Sequence, residues 1–562
     1  MPNTPHLFKP YRIVLLILML GVFTARAQAQ GAAPAPQVES AQAQARERPA
    51  YTNPAVAGDY PDPSVIRVGH DYWATATSSE WAPEFPILHS RDLVNWRVVG
   101  AVFQQRPAWS VGNYWAPEIS EYRGRYFVYY VGRKKPGPQR EETPKKEGPL
   151  CVAVASAARP DGPYKDHGPI VCEDVGSIDP MAVKDEKGQL YLVWKKDGNS
   201  VQAPTPIWAQ RLSADGTRLV GEKKELIRND APWEAQLVEG PFILRRGGWF
   251  YMFYSGNACC GRGCNYAMGV ARSRTLLGPW EKNLGNPILK GNDSWKCPGH
   301  GSVVSDETGR DFLLYHAYHA GDFVYVGRQA LLDEVRWNAD GWPTINEGRG
   351  PSERGASPFR VAEKDEEYDF VDRFTSRRLV PGWQWPQSNE PSFRLMSAPK
   401  PHLILSPTTA HAGDAIGAVL ARSTTTGDYT ASTLIDTNGM KAGALAGLSA
   451  YGDQDNALGV AVGDGKIIVW RREKKDDKVD HKVIATKDAP ASKLIHLRMR
   501  ARQGHLFRFA FSTNARDWSE VGDELDGSHL PPWDRGVRVA LTCGGAVGAS
   551  ARFQEMRVTP SR

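Results

Sequence analysis

From Asp71 onward the chain alternates short apolar runs with polar turns. Five of the runs are rich in aromatic and β-branched residues: Asp71-Tyr72-Trp73-Ala74-Thr75-Ala76, Tyr126-Phe127-Val128-Tyr129-Tyr130, Tyr191-Leu192-Val193-Trp194, Trp249-Phe250-Tyr251-Met252-Phe253-Tyr254 and Asp311-Phe312-Leu313-Leu314-Tyr315-His316. Their length and the turn residues around them predict β-strands. Each run follows a polar anchor set beside proline or glycine: Asp62-Pro63, Pro117-Glu118, Asp179-Pro180, Glu239-Gly240-Pro241 and Gly299-His300. From Asp62 through Glu118, Asp179, Glu239 and His300 the steps are 56, 61, 60 and 61 residues. Such a period predicts repeated structural units. A third element recurs in part, an apolar strand and then a turn carrying an aromatic, as in Ile87 to Trp96, Val152 to Tyr164 and Gly269 to Trp280. Five units of several short strands predict a five-bladed β-propeller.

After Tyr368 the texture changes to strict alternation, as in Leu497-Arg498-Met499-Arg500-Ala501-Arg502 and Leu506-Phe507-Arg508-Phe509-Ala510-Phe511, with turns such as Asn438-Gly439 and Asp464-Gly465. Period-two strands predict a second all-β body, a β-sandwich of the jelly-roll kind, with Arg498, Arg500 and Arg502 on a solvated face. Pro343 to Lys364 reads as the linker. The expected organisation is a signal peptide at 1–27, a flexible leader at 28–50, the propeller at 51–360 and the sandwich at 366–562.

The N-terminal expectation rests on Lys9 and Arg12, the apolar run Ile13 to Phe23, and the small residues Ala25 and Ala27. That is the plan of a cleavable export signal, and its apolar run is short for a bilayer span. A retained anchor is the alternative. Export to the periplasm or medium is therefore expected, with no membrane span after cleavage. Removing the signal, with Lys9, Arg12 and Arg26, takes the formal charge from +6 to +3. Lys134, Lys135, Lys145 and Lys146 are interleaved with Glu141, Glu142 and Glu147. Neither feature is a nucleic-acid signature. Of seven cysteines, the six before residue 300 can pair as disulfides in an exported protein. Cys259-Cys260-x-x-x-Cys264 lacks the nearby histidine that would complete a usual zinc spacing.

In a propeller the first strand of each blade lines the central channel, so the anchors converge around one axis. Proline beside Asp62 denies the ladder a donor and aims the carboxylate at a pocket. Convergent carboxylates suit sugar hydrolysis by inversion, which needs one base for water and one acid for the leaving oxygen. Asp62 suits the base. Glu239, in an apolar run, suits an acid whose pKa burial raises, and Asp179 suits a second anion that keeps Glu239 protonated. Trp115 and Trp73 are candidates for stacking on sugar, with core packing the competing role for Trp73.

The motifs GDYPDPSVI, NYWAPEIS, GSIDPMAV, VEGPFI and PGHGSVV, in this order, resemble glycoside hydrolase family 43 from Asn53 to about Trp342. The tail from Tyr368 resembles the concanavalin-like sandwich appended to many members. The resemblance implies Asp62 as general base, Asp179 as pKa modulator and Glu239 as general acid. It further implies Trp115 as a subsite residue, Arg328 as the arginine near the reacting sugar, and His300 as a channel histidine that helps hold calcium or another ion through water. His300 has no neighbouring carboxylate at ligand spacing, so no cofactor is required for the chemistry and any calcium is expected to be structural. The implied activity is inverting removal of α-L-arabinofuranosyl or β-D-xylosyl residues from plant cell-wall oligo- or polysaccharide, with arabinofuranosidase favoured. A galactan- or galactofuranose-cleaving relative stays open, as does a non-catalytic sugar-binding propeller, although the latter has no use for three convergent acids. The sandwich is read as a buttress closing one side of the pocket, against a carbohydrate-binding module.

Overall fold

The computed structural model describes residues 50–136, 148–359 and 369–561. The signal, most of the leader, Lys145, Lys146 and the neighbouring glutamates lie outside them. The five aromatic runs are the second strands of five four-stranded antiparallel sheets. The sheets begin with the inner strands Ser64–Val68, Trp115–Tyr122, Ser177–Lys184, Val238–Arg246 and Trp295–Ser305, which define blades 1 to 5. Second strands are sandwiched between neighbouring blades, so both faces are dry. Tyr129, Trp194, Phe253 and Tyr315 are all fully buried. Their continuous apolar character follows from that position. The outermost strands, such as Lys165–Val171, alternate between exposed and half-buried residues and leave little signal in the sequence.

The aromatic that recurs after the third strands of blades 1, 2 and 4 has a local task. Trp96 Nε1 donates to Leu93 O at 2.7 Å, Tyr164 Oη to Pro160 O at 2.9 Å, and Trp280 Nε1 to Leu276 O at 3.0 Å. In each case the ring folds back to satisfy a carbonyl of the preceding turn, which is why the spacing repeats.

The ring is tied shut by the start of the described chain. Ala50–Thr52 pairs with Arg354–Ala356, and Val56 bridges Ala330 of blade 5. Asn53 Nδ2 donates to Leu332 O at 3.1 Å and its Oδ1 accepts from Leu332 N at 2.9 Å. This corrects the linker: Pro343–Ile345 is the outer strand of blade 5, pairing with Val335–Trp337, and the closing strand follows it. Ala50 likewise belongs to the propeller, not the leader.

The tail forms two antiparallel sheets, one of nine strands and one of six, around a core that includes Leu405, Ala431, Leu448, Val460, Leu497, Phe509, Leu541 and Phe553. Leu497, Met499 and Ala501 point inward, and Arg500 and Arg502 are exposed, the latter pairing with Glu524. Arg498, expected on a solvated face, is instead covered by the Trp518 ring, 4.1 Å from its guanidinium, and pairs with Glu520. The sandwich is joined to blade 1 by backbone pairing of Trp385–Pro386 with Trp81–Ala82. Trp81 is buried edge-on against Tyr451. The cysteines form Cys151–Cys172, Cys259–Cys260 and Cys264–Cys297, leaving Cys543 buried as a thiol in the sandwich. Among the described residues no helix is long and apolar enough to cross a membrane.

Candidate active site

One backbone device recurs in all five blades. Asp62, Ala116, Asp179, Gly240 and His300 have φ of 52°, 43°, 53°, 57° and 42°. Four of them precede a proline, and His300 precedes Gly301. In blades 2 to 5 the ladder slips at this point, between Trp115 and Glu118, Ile178 and Met181, Glu239 and Phe242, and Gly299 and Ser302. A bulge with a left-handed residue bends the strand end and re-aims its side chain off the sheet. Such conformations cost roughly 1 to 3 kcal/mol each where the residue is not glycine, and they gather at functional sites. At Gly240 a side chain is also sterically excluded, since a Cβ would lie 2.9 Å from His300 Cγ.

Asp62 is surrounded by donors and positive charge. Thr77 Oγ1 donates to its Oδ2 at 2.6 Å and Arg328 Nη1 to its Oδ1 at 3.0 Å. His316 Nδ1 stands 3.1 Å from Asp62 N and 3.2 Å from Oδ1, and His300 Nδ1 stands 3.5 Å from Oδ1. Burial works against the charge, but Arg328, then His300 and His316, outweigh it and hold the carboxyl well below the usual carboxylate range. Burial pushes His316 down to about 4, so its neutral ring can accept the Asp62 N–H.

Asp179 has the opposite balance. Its Oδ2 accepts from Gly240 N at 2.8 Å and lies 3.9 Å from His300 Nδ1. Burial, and then the charges of Glu239 and Asp62, push it up to about 6 against His300 and Lys195. The hydrogen bond to Gly240 ties Asp179 to the backbone that carries Glu239. Glu239 itself is ion-paired: its Oε2 accepts from Lys195 Nζ at 2.7 Å. The sequence reading rested the acidity of Glu239 on burial in an apolar run. The structure adds an ammonium to its surroundings and places the raised carboxyl on Asp179.

The three acids, Arg328 and His300 are therefore brought together in one pocket. Trp115 stands at the start of the blade 2 inner strand, half-buried, with its ring 6.0 Å from and perpendicular to that of Trp533 from the sandwich. Trp73 is not part of the site. It pairs with Ile66 and His89 within blade 1, its ring 4.6 Å from that of His89, and packs against the apolar cluster between blades 1 and 2. Glu118 lies across the channel, where its Oε2 accepts from Ser302 Oγ of blade 5 at 3.3 Å and burial pushes its pKa up to about 8. His300 directs Nδ1 at Asp62 and Asp179, and among the described residues no three His, Cys, Asp or Glu side chains converge as a metal cage. The donors present do not fit a protein-held calcium ion, which takes six to eight oxygens.

Several residues of the site were not read from the sequence. Thr77, Lys195, Ser255 and His316 all lie at or just after the far ends of second strands, which run back to the bulges. Ser255 Oγ accepts from His300 N at 2.9 Å. A polar residue closing an apolar run was the available signal. Asp59, three residues before Asp62, joins the two domains: its Oδ2 accepts from Arg538 Nη2 at 3.1 Å and Gly536 N at 3.0 Å, and its Oδ1 from Arg328 N at 3.1 Å. The sandwich loop answers with Asp534, whose backbone O accepts from Arg328 Nη2 at 3.1 Å and whose Oδ2 accepts from Ser79 Oγ at 2.8 Å. No local pattern announces that contact.

Comparison with known proteins identifies the family. The family model described as Glycosyl hydrolases family 43 matches residues 51–343, and that of the beta xylosidase C-terminal concanavalin A-like domain matches 371–557. Xylosidase/arabinosidase 43B of Humicola insolens is 29% identical over 438 residues, 74% of this chain and 77% of its own length. The extracellular exo-α-(1→5)-L-arabinofuranosidase ArbA of Cellvibrio japonicus is 29% identical over 327 residues, 51% of this chain and 87% of its own. The crystal structure of the GH43 BlXynB protein from Bacillus licheniformis matches with a TM-score of 0.77 at 26% identity, over 91% of this chain and 100% of that one. With its propeller spanned by the family model and its sandwich by the companion one, the chain belongs to glycosyl hydrolase family 43 and is a glycoside hydrolase.

Proposed function

We propose that this hydrolase is exported and removes terminal α-L-arabinofuranosyl residues from plant cell-wall polysaccharide with inversion at the anomeric carbon. The observation that carries the reading is the difference in surroundings across one pocket. Asp62 accepts from Thr77 Oγ1 and the Arg328 guanidinium, which favour its ionised form, while Asp179, buried beside Glu239, accepts among the described residues only from the Gly240 amide next to the acid. Paired carboxyl groups with divergent acidities mark a base and an acid partner. In this reading Asp62 takes a proton from water as the water oxygen bonds to the anomeric carbon. The bond from that carbon to the leaving oxygen breaks, and Glu239 gives its proton to the departing oxygen. Asp179 holds the Gly240 amide and so orients the acid. Arg328 and His300 keep the base charged. These side chains supply the charge chemistry, so no metal is needed, and exhaustive chelation is expected to leave turnover unchanged.

Exo action is supported by the sandwich loop, where Trp533 stands against Trp115 and Asp534 against Arg328, so one side of the pocket is walled. The arabinofuranosyl preference draws on the names of the two curated relatives, one of which also carries xylosidase activity in its name. Aryl α-L-arabinofuranoside and β-D-xyloside assayed side by side decide between the sugars. Proton NMR of the first-formed product, read before mutarotation, tests the stereochemistry. A retained anomer would mean a covalent intermediate and would make Asp62 a nucleophile.

A further inference from the structure

Lys195 has no part in the reaction as written, yet it makes the closest charged contact to the proposed acid. Its side chain is 1% exposed, and Nζ donates to Glu239 Oε2 at 2.7 Å and to Asp197 Oδ1 at 3.0 Å. Its place is fixed by the ladder. Lys195 pairs with Ile178, next to Asp179, on one side and with Ile207 on the other. Asp197 follows two residues later, where its backbone N donates to Gly176 O at 2.9 Å. Burial disfavours the ammonium, but Glu239 and Asp197 outweigh that and hold Lys195 above the ordinary lysine range, so it is a permanent cation.

The other groups acting on Glu239 are Asp179 from the blade 3 inner strand, the Tyr266 phenol, and His300 from the blade 5 inner strand, whose ring packs on Gly240. Asp62 stands beyond His300. Among the described residues only Lys195 forms an ion pair with Glu239.

An ammonium beside a carboxyl favours its ionised form. That works against an acid that must hold a proton at rest, but it favours the same acid once the proton is moving. As the leaving oxygen takes the proton, negative charge develops on Glu239 beside a fixed cation, an interaction stronger in the transition state than before it. Asp197 shares the ammonium and so limits how far Glu239 is driven to ionise at rest.

We propose that Lys195, counterbalanced by Asp197, is a positioning residue that sets the pH above which Glu239 loses its acid proton and that stabilises the carboxylate left when the proton is transferred. The proposal rests on Glu239 as the acid, and the two can fail separately. Glu239→Ala is compared first on 4-nitrophenyl and 2,4-dinitrophenyl glycosides of the preferred sugar. If both substrates lose rate equally, the acid assignment fails whatever Lys195 does.

With that assignment standing, kcat/KM is measured against pH for Lys195→Met, Asp197→Asn and the double variant. Lys195→Met should move the alkaline limb up by about 1 to 3 pH units. It should also lose at least about tenfold more rate on the 4-nitrophenyl than on the dinitrophenyl substrate, as expected of a defect in acid catalysis. Asp197→Asn should move the limb down by about one unit, because the ammonium then acts on Glu239 alone. The double variant, with both charges removed, should return toward the wild-type limb. Shifts of the same sign in the two single variants, or no shift in either, would overturn the proposal. If Lys195→Met does not fold, the downward shift in Asp197→Asn, which keeps the ammonium in place, decides by its presence or absence.

Discussion

Replacing Arg328 with Met removes the charge that keeps Asp62 ionised. The guanidinium meets Asp62 Oδ1 at 3.0 Å, with the two side chains only 5% and 11% exposed. Burial alone would raise Asp62 above an ordinary carboxylate, and Arg328 is the strongest of the groups that reverse this. An opposite charge this close moves a carboxyl by about 1 to 3 pH units, at about 1.4 kcal/mol per unit. The acidic limb set by the base should therefore move up by that amount, toward the lower end of the working range. Below the new limb kcat/KM should fall about tenfold per pH unit, as the ionised fraction falls.

The assay is kcat/KM from about pH 3 to about pH 8 on a 2,4-dinitrophenyl glycoside, whose leaving group departs without a proton, so that the acidic limb belongs to the base. Stability should change in step. A carboxyl depressed in the folded state stabilises it above the unfolded pKa and loses that contribution as pH falls toward the folded value. Arg328→Met forfeits the contribution, so acid unfolding should begin at higher pH. Arg328 also holds the carbonyl of Asp534 in the sandwich loop. Asp59→Asn is the control, because it loosens the same junction through Gly536 and Arg538 without touching the guanidinium charge. A uniform fall in kcat/KM at every pH, with the acidic limb unmoved, would refute the reasoning and leave Arg328 as a substrate contact alone.

Asp179→Asn removes a like charge beside Glu239, so the alkaline limb should move down. Because Asp179 is pushed up to about 6, variant and wild-type profiles should converge below that pH and separate above it. Asp62→Ala should slow every substrate by about 10² to 10⁴, whereas Glu239→Ala should spare dinitrophenyl glycosides relative to poor leaving groups, as initial rates on a leaving-group series would show. Asp59→Ala leaves Arg538 buried without its partner, both side chains being at most 3% exposed, and should cost about 3 to 5 kcal/mol in urea unfolding.

What the sequence determined by itself was whatever repeats or alternates along the chain. Second strands read as aromatic runs because neighbouring blades dry both of their faces, and sandwich strands such as Leu494–Arg502 read as alternation because only one face is dry. The left-handed anchors leave a mark too, as Asp62-Pro63, Asp179-Pro180 and Gly240-Pro241, so the five anchors could be named from spacing, and the choice of three acids among them drew on their chemistry and the family resemblance. Outer strands such as Lys165–Val171, with few buried positions, left almost no trace, and Pro343–Ile345, only three residues long, was taken for linker. The tertiary structure alone decided the charge state of the acids. Asp62 and Asp179 share the same local motif and the same backbone conformation, yet one is held ionised by Arg328 from a distant loop while the other is pushed up by burial and then by Glu239. A pKa is set by charges within a few ångströms, and here those charges come from blades 4 and 5. The clamp that holds Arg328 comes from the sandwich, more than 200 residues away in sequence.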